Sequence, residues 1–235
     1  VIYGILSDIH GNLEALLSVF PYIKKVDKIV VLGDIVGYGP QPNECIEEIM
    51  RLKPITVVGN HDLAAVGKKD KRWFNPFARK AIEWTEENLS RENKLWLASL
   101  PKIVKEEKSV FVHGSLREYT DEYIFDEQMA DANLSFLDGE TLFVGHTHSP
   151  QIFIKTERGV MNRRILDREN VLLSNTKSIV NPGSIGQPRD YNPKASFGLF
   201  NTKTREFLLL RIPYNIQKTQ KLMREKGLSE YLIQR

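Results

Sequence analysis

The sequence predicts an α/β fold forming a single domain over residues 1–235. Its first sixty residues alternate short apolar runs with helical patterns, the order of a parallel α/β unit. Beyond Val110 short strands and turns take over, which predicts a second sheet, and no linker, repeat or low-complexity tract parts the two regions. For a chain of this length, folding is expected to bury about 72% of the unfolded surface and leave roughly 10,800 Å² exposed. A core of that size needs no disulfide or structural metal, so any metal here is expected to be functional.

Ile2–Leu6, Lys28–Leu32, Ile55–Val58, Val110–Val112 and Leu142–Val144 are short runs, several rich in Val and Ile, that suit buried strands. Between the first two, Asn12 offers a cap to a helix over 12–19, with Leu13, Leu16, Leu17 and Phe20 at helical spacing. Pro42–Leu52 begins with a proline and carries Ile46, Ile49 and Met50 on one face, with Glu44, Glu47 and Glu48 near its positive end. Lys71–Leu100 reads as two helices parted near Leu89-Ser90 and stopped by Pro101, with Trp73, Phe74, Phe77, Ile82 and Trp84 among their apolar residues. Gln151–Lys155, Val171–Leu173, Ser178–Val180, Phe197–Phe200 and Glu206–Ile212 supply the later strands. Residues 215–235 form an amphipathic final helix, expected to pack on its own domain or on a neighbouring copy, which leaves a homo-oligomer open.

Composition excludes several function classes. A 41% hydrophobic and 27% charged chain is globular rather than disordered. The lone Cys45 excludes a disulfide scaffold and a thiolate cluster, and points to a reducing, cytoplasmic setting. No apolar stretch approaches the ~20 residues of a membrane span. The opening run is too short, and lacks the basic residues, for a signal peptide. A net charge of +3 does not by itself point to nucleic acid.

All five histidines lie within three residues of a glycine, at the downstream ends of apolar runs. They fall in Asp8-Ile9-His10-Gly11, Gly59-Asn60-His61-Asp62, His113-Gly114 and Gly145-His146-Thr147-His148, and a further run ends in Gly33-Asp34. In an open α/β sheet, ligands bind outside the carboxyl ends of the strands. If these segments are extended, Asp8 with His10, and His146 with His148, point the same way and share a centre. Carboxylate, imidazole and amide oxygen together suit Mn, Fe, Zn, Ni or Co rather than Ca. Asp8, His10, Asp34, Asn60, His113, His146 and His148 are too many ligands for one tetrahedral ion and enough for two. Two divalent ions ~4 Å apart activate water and clamp the oxygens of an in-line displacement at phosphorus, so phosphoester hydrolysis is the expected reaction.

In order and spacing these five motifs resemble the calcineurin-like metallophosphoesterase superfamily, over residues 8 to 148. Asn181-Pro182-Gly183-Ser184-Ile185-Gly186-Gln187-Pro188-Arg189 and Gly33-Asp34-Ile35-Val36-Gly37-Tyr38-Gly39-Pro40 resemble its small bacterial and archaeal phosphodiesterase branch. The resemblance implies a four-layer α/β/β/α sandwich of two mixed sheets flanked by helices. It assigns Asp8, His10 and His148 to a first ion, Asn60, His113 and His146 to a second, and Asp34 as the bridge. It gives two divalent cofactor ions, manganese foremost, and attack at phosphorus by a hydroxide held between them. It makes His61 a catalytic residue that contacts phosphate or protonates the leaving oxygen, with Asp62 orienting its ring.

Substrate contacts are sought elsewhere. Arg189, on a Gly-rich turn, offers a bidentate fork to phosphate oxygens, and Arg117 stands soon after His113. The expected partner is a small phosphoester or nucleotide, with neither membrane nor nucleic acid. A dinucleoside polyphosphate hydrolase and a phosphoprotein phosphatase are the rival enzyme readings, and a non-catalytic interaction module on the same fold is the rival of another class. Trp73, Phe74 and Phe77 are expected in the core rather than in a substrate lid.

Overall fold

The structure, a computed structural model, describes residues 1–173 and 176–234. Arg235, where the final helix was expected to end, lies outside them. The first sheet joins β1 (Ile2–Leu6), β2 (Lys28–Val31), β3 (Ile55–Thr56), β9 (Asn170–Leu172), β11 (Ala195–Asn201) and β12 (Glu206–Ile212) in the order β3-β2-β1-β11-β12-β9. β1, β2 and β3 run parallel, while β11 pairs antiparallel with both β1 and β12. The second sheet orders β4 (Ile103–Glu106), β5 (Ser109–Val112), β6 (Thr141–Phe143), β7 (Gln151–Thr156), β8 (Gly159–Arg164) and β10 (Ser178–Asn181) as β4-β5-β6-β10-β7-β8. Here β5, β6 and β10 are the parallel strands.

Three apolar layers make the sandwich. Tyr3, Ile5, Val30 and Leu32 of the first sheet meet Phe111, Phe143, Ile152 and Val180 of the second between the sheets. On the outer face of the first sheet, Leu16 and Val19 of α1 (Leu13–Ile23) and Ile46 and Ile49 of α2 (Pro42–Leu52) pack against Leu6, Val31 and Phe197. Outside the second sheet, Ala130 and Leu134 of α6 (Glu127–Phe136) cover Val110, Leu142 and Ile179. The accessible surface is 10878 Å², close to the area-scaling value.

Local chemistry explains the helix ends. Asn12 Oδ1 accepts from the Ala15 N–H at 3.2 Å, and α1 continues through Pro21 beyond the expected Val19. Asn75 and Ser90 cap α4 (Pro76–Asn88) and α5 (Arg91–Ser99), which part at Leu89 as expected. Two corrections concern the helical regions. Gly227, at φ +71°, breaks the expected final helix into α7 (Ile216–Glu225) and α8 (Glu230–Gln234), which pack on Tyr38, Ala78 and Ala81 of their own chain. Trp73 is not core: it ends a 3₁₀ turn over Lys71–Trp73 and is 83% exposed, because Asn75 starts the helix only after it. Cys45 is fully buried among α2's apolar neighbours, as a small hydrophobe.

Candidate dinuclear metal centre

The downstream ends of the parallel strands of both sheets open on one crevice. Asp8 and His10 follow β1, Asp34 follows β2, Asn60 and His61 open α3 (Asn60–Ala65) after β3, His113 follows β5, and His146 and His148 follow β6. All seven expected ligands are between 0% and 7% exposed. Their convergence does not come from extended pleating. Asp8, His10, Asp34, His146 and His148 all have left-handed backbone, with φ between 50° and 66°. Each such residue costs of the order of 1–3 kcal/mol, a strain that persists where the surroundings over-determine it. Close approach tightens the same loops: a Cβ on Gly59 would run into the Asp34 carboxylate, so only glycine fits there.

Backbone carbonyls, which only accept, set the imidazole tautomers. Nδ1–H of His10 donates to Val36 O (3.0 Å), of His113 to Leu32 O (2.7 Å) and of His148 to Gln187 O (2.6 Å). His146 is reversed, its Nε2–H donating to Asp121 O at 3.1 Å. Every second ring nitrogen is thereby turned inward: His10 Nε2 lies 3.1 Å from His148 Nε2, and His113 Nε2 lies 3.1 Å from His146 Nδ1. Facing lone pairs at that distance repel unless a proton or a metal cation is shared between them.

The carboxylates are held in the same way, by one oxygen each. Asp8 Oδ2 accepts from Ser7 Oγ–H and the His146 N–H, and Asp34 Oδ1 accepts from the His61 N–H. The other oxygens, Asp8 Oδ1 and Asp34 Oδ2, lie 3.2 Å from His148 Nε2 and 3.3 Å from His113 Nε2, but among the described residues neither they nor the buried Asn60 Oδ1 take part in a well-aligned hydrogen bond. Ligand atoms of Asp8, His10, Asp34 and His148 lie within 4.8 Å of one another, as do those of Asp34, His113 and His146. Asp34 belongs to both groups. Orphaned oxygens, inward lone pairs and a shared carboxylate fit two divalent ions.

Electrostatics agree. Burial pushes the His113 imidazole down, but Asp34 beside it outweighs burial and holds it up to about 10. Burial acts on His146 with the charge of His113 and takes it down to about 3. Burial would raise both carboxyls, yet His148 holds Asp8, and His113 holds Asp34, below the ordinary range. A proton at His113 and a divalent ion answer the same need for positive charge beside Asp34.

Residues 2–205 match the model of the calcineurin-like phosphoesterase superfamily domain. The chain belongs to that superfamily. This phosphoesterase domain is 41% identical to a metallophosphoesterase from Sphaerobacter thermophilus of known crystal structure, with TM-score 0.92 over 100% of this chain and 97% of that one. It is 40% identical to an uncharacterized protein of Methanocaldococcus jannaschii, over 99% of this chain and 96% of the relative. A hypothetical protein of Pyrococcus horikoshii, 22% identical, shares the fold at TM-score 0.82 over 99% of this chain and 96% of its own.

Above the phosphoesterase centre opens a cavity of about 360 Å³. Asp34, Asn60, His61, His146 and His148 line it on the metal side, and Arg189 joins them. His61 is boxed by the rings of Tyr38 (4.6 Å between centroids), His10 (4.8 Å) and Phe74 (5.0 Å). Burial takes its imidazole down to about 4, so it is neutral at pH 7. Asp62 does not orient that ring. Its Oδ1 accepts from the Val36 N–H (3.1 Å) and its Oδ2 from the Gly59 N–H (3.0 Å), so the carboxylate ties the loop after β2 to the start of α3. Burial, with the charge of Asp34, pushes Asp62 up to about 7.

Arg189 donates through Nη2 to Gln187 Oε1 at 2.9 Å, while its buried Nε has no partner. Arg117 is not brought to the cavity: it pairs with Glu122, its Nε donating at 3.1 Å, and is 41% exposed. Sequence reasoning gave no role to Tyr38, Lys69, Asp121 or Tyr123, which line the cavity; Tyr38 lies in the quoted Gly33–Pro40 run, and the other three lie in no motif. Tyr123 stacks on the His146 ring at 3.8 Å and 12°, and the charge of Arg189 acts on its hydroxyl. Lys69 Nζ pairs with Asp121 at 2.7 Å, and the only sequence signal near it is the basic run over 68–72.

Proposed function

We propose that this chain is a metal-dependent phosphoric ester hydrolase, a phosphodiesterase or phosphatase on a small phosphorylated or nucleotide substrate. The observation that carries the reading is the pair of ligand clusters sharing Asp34, set under an open cavity with an arginine on its wall. Asp8, His10 and His148 would hold one divalent ion, and Asn60, His113 and His146 the other. Such ions supply an activated water and neutralise charge on the phosphoryl oxygens. Manganese suits this oxygen and nitrogen donor set, as do Fe, Zn, Ni and Co.

The chain's own groups do the rest. Arg189 Nε is a buried donor aimed at no protein acceptor, ready for a phosphate oxygen. His61 works as a neutral imidazole whose N–H hydrogen-bonds the phosphoryl or leaving-group oxygen, since Asp62 is spent on backbone. Tyr38 and Phe74 fix its ring, in the place first given to Asp62. The completeness of the ligand set argues against a non-catalytic interaction module. A cytoplasmic setting suits the single buried Cys45. Among the described residues no helix is long and apolar enough to cross a membrane.

Elemental analysis of one preparation, with hydrolysis of p-nitrophenyl phosphate and bis-p-nitrophenyl phosphate after Mn²⁺ reconstitution, tests the proposal. Near two ions per chain with turnover of either ester supports it, and the preferred ester separates phosphatase from phosphodiesterase. Absence of both metal and turnover overturns it.

A further inference from the structure

The cavity has room beyond a phosphoryl group, and Tyr38, Trp73, Phe74 and Tyr123 line it besides the metal-side residues. At about 360 Å³ it falls in the range that takes a whole small molecule, roughly 300–1,000 Å³. The metal side accounts for its carboxylates and imidazoles. The outer wall is different: Trp73, Phe74 and Asn75 line it from the segment that joins α3 to α4.

Trp73 is the exceptional residue there. Its neighbour Phe74 sets its ring on His61 and packs into the core, so the indole stands one residue beyond a contact with the reacting centre. Yet that indole is 83% exposed. The exposure does not come from a slack loop. Asp70 Oδ1 accepts from the Arg72 N–H at 2.9 Å, Lys71 is paired with Glu86 of α4, and Asn75 Oδ1 accepts from Phe77 N–H (3.1 Å) and Ala78 N–H (3.0 Å). Three anchors within six residues fix the backbone from which the ring is displayed. Phe77, two residues after Asn75, is used otherwise, stacked on Tyr231 at 4.2 Å.

A displayed indole is a platform for a flat partner: base-on-aromatic stacking is worth about fivefold or more in affinity, and tolerates any base. Cationic groups complete the subsite. Lys69, four residues before Trp73, holds its ammonium over the second-ion side of the cavity, because its partner Asp121 also accepts from His146 through the backbone carbonyl. Arg189 lines the same cavity. Phosphate at the centre and a flat ring on the rim together describe a nucleoside phosphate.

Resting on the phosphoester-hydrolase reading, we infer that Trp73 is the base platform of this cavity and that the substrate carries a nucleoside on the phosphorus, the indole determining specificity without entering the chemistry.

The test compares adenosine 5′-monophosphate with ribose 5-phosphate, which differ only in the base. Binding of each to the Mn²⁺-loaded chain is measured by calorimetry, and by tryptophan fluorescence, in native protein and in Trp73→Ala and Trp73→Phe. Adenosine 5′-monophosphate is expected to bind at least about fivefold more tightly than ribose 5-phosphate to the native chain and to quench its fluorescence. Trp73→Ala should erase that advantage and Trp73→Phe should keep part of it, with ribose 5-phosphate binding alike to all three. The quench should vanish in Trp73→Phe, which leaves only Trp84 and Trp96 as indoles. Equal binding of the two ligands by the native chain, or an advantage that survives Trp73→Ala, overturns the inference. Turnover of p-nitrophenyl esters is read separately, so a hydrolase without a base platform and a base platform without hydrolysis are told apart.

Discussion

The metal centre and the cavity rim are built on opposite terms. In the centre each ligand is buried, and each histidine has its outer nitrogen tied to a backbone carbonyl. On the rim Trp73 is exposed, and Lys69 and Asp121 satisfy each other across two loops at 19% and 34% exposure. The centre stores strain and concentrated charge, so its residue types and positions are both constrained. The rim carries little strain and little burial, so position alone gives its side chains meaning. Reaction type is therefore written in the centre, and choice of substrate on the rim.

The largest effect is expected from Asp34→Asn, which removes the charge shared by both ligand clusters. Affinity for both ions should fall together, by more than the 10–100-fold that loss of an outer hydrogen-bond partner costs. Elemental analysis that finds one ion at full occupancy would break the idea of a shared ligand. His61→Ala comes next: turnover of p-nitrophenyl esters should drop about 10²- to 10⁴-fold with metal content unchanged. If the metal went too, His61 would belong to the ligand set and the division of roles would fail.

Gly37→Ala sharpens the same boundary. A Cβ at Gly37 would lie 2.5 Å from His61 Nδ1 and 3.0 Å from His10 Nδ1, on backbone at φ +136° that L side chains rarely adopt. Displacement of the imidazole should cost up to about 10²-fold in turnover, the penalty of a misplacement near 1 Å. A retained melting transition checks that the fold holds, and unaltered turnover would show that His61 has room to spare. The smallest effect is expected from Tyr123→Phe, which keeps the stack on His146 and loses the cavity-lining hydroxyl on which the charge of Arg189 acts. KM should rise about 2- to 10-fold, the range of a single polar contact, at constant metal content. Loss of metal in this variant would place Tyr123 in the centre rather than on the rim.

Much of the architecture was legible because apolar periodicity reports burial. Ten of the twelve strands and α1, α2, α4 and α5 follow the runs that Ile, Val and Leu lay down. α6 was passed over because it buries only Ala130, Asn133 and Leu134, too little apolar bulk to mark a face. β4 escaped because it is short and only partly apolar, β8 because Val160 and Met161 are its only apolar side chains, and α3 because it is short and starts with site residues. Trp73 was misread because helical spacing was carried back over the turn, although Asn75-Pro76 marks the true start of α4.

Within the site, six of the seven residues picked out as ligands meet in two clusters that share Asp34, and Asn60 lines the same cavity; carboxylate, imidazole and amide groups in that order suit a divalent centre. The manner of their meeting was not legible. Extended pleating predicts same-side pairs, whereas the chain uses left-handed backbone at five of the seven positions. Nor do the atoms that set the tautomers leave a trace in sequence, because they are carbonyls of Val36, Leu32, Gln187 and Asp121, and every residue has a carbonyl. Asp62 shows the same limit: adjacency to His61 suggested a side-chain pair, and the backbone N–H groups of Val36 and Gly59 claimed both oxygens instead.

By itself, the sequence determined the alternation of strands and helices, the set of metal-binding groups and their order along the chain. These follow from local periodicity and from the chemistry that each residue type carries wherever it sits. Only the tertiary structure decided which lone pairs face one another, which carboxylate oxygen stays free and which aromatic is left in water at the cavity mouth. Those outcomes depend on distances between segments far apart in the chain, with His10 and His148 meeting across 138 positions, and no local pattern encodes such distances.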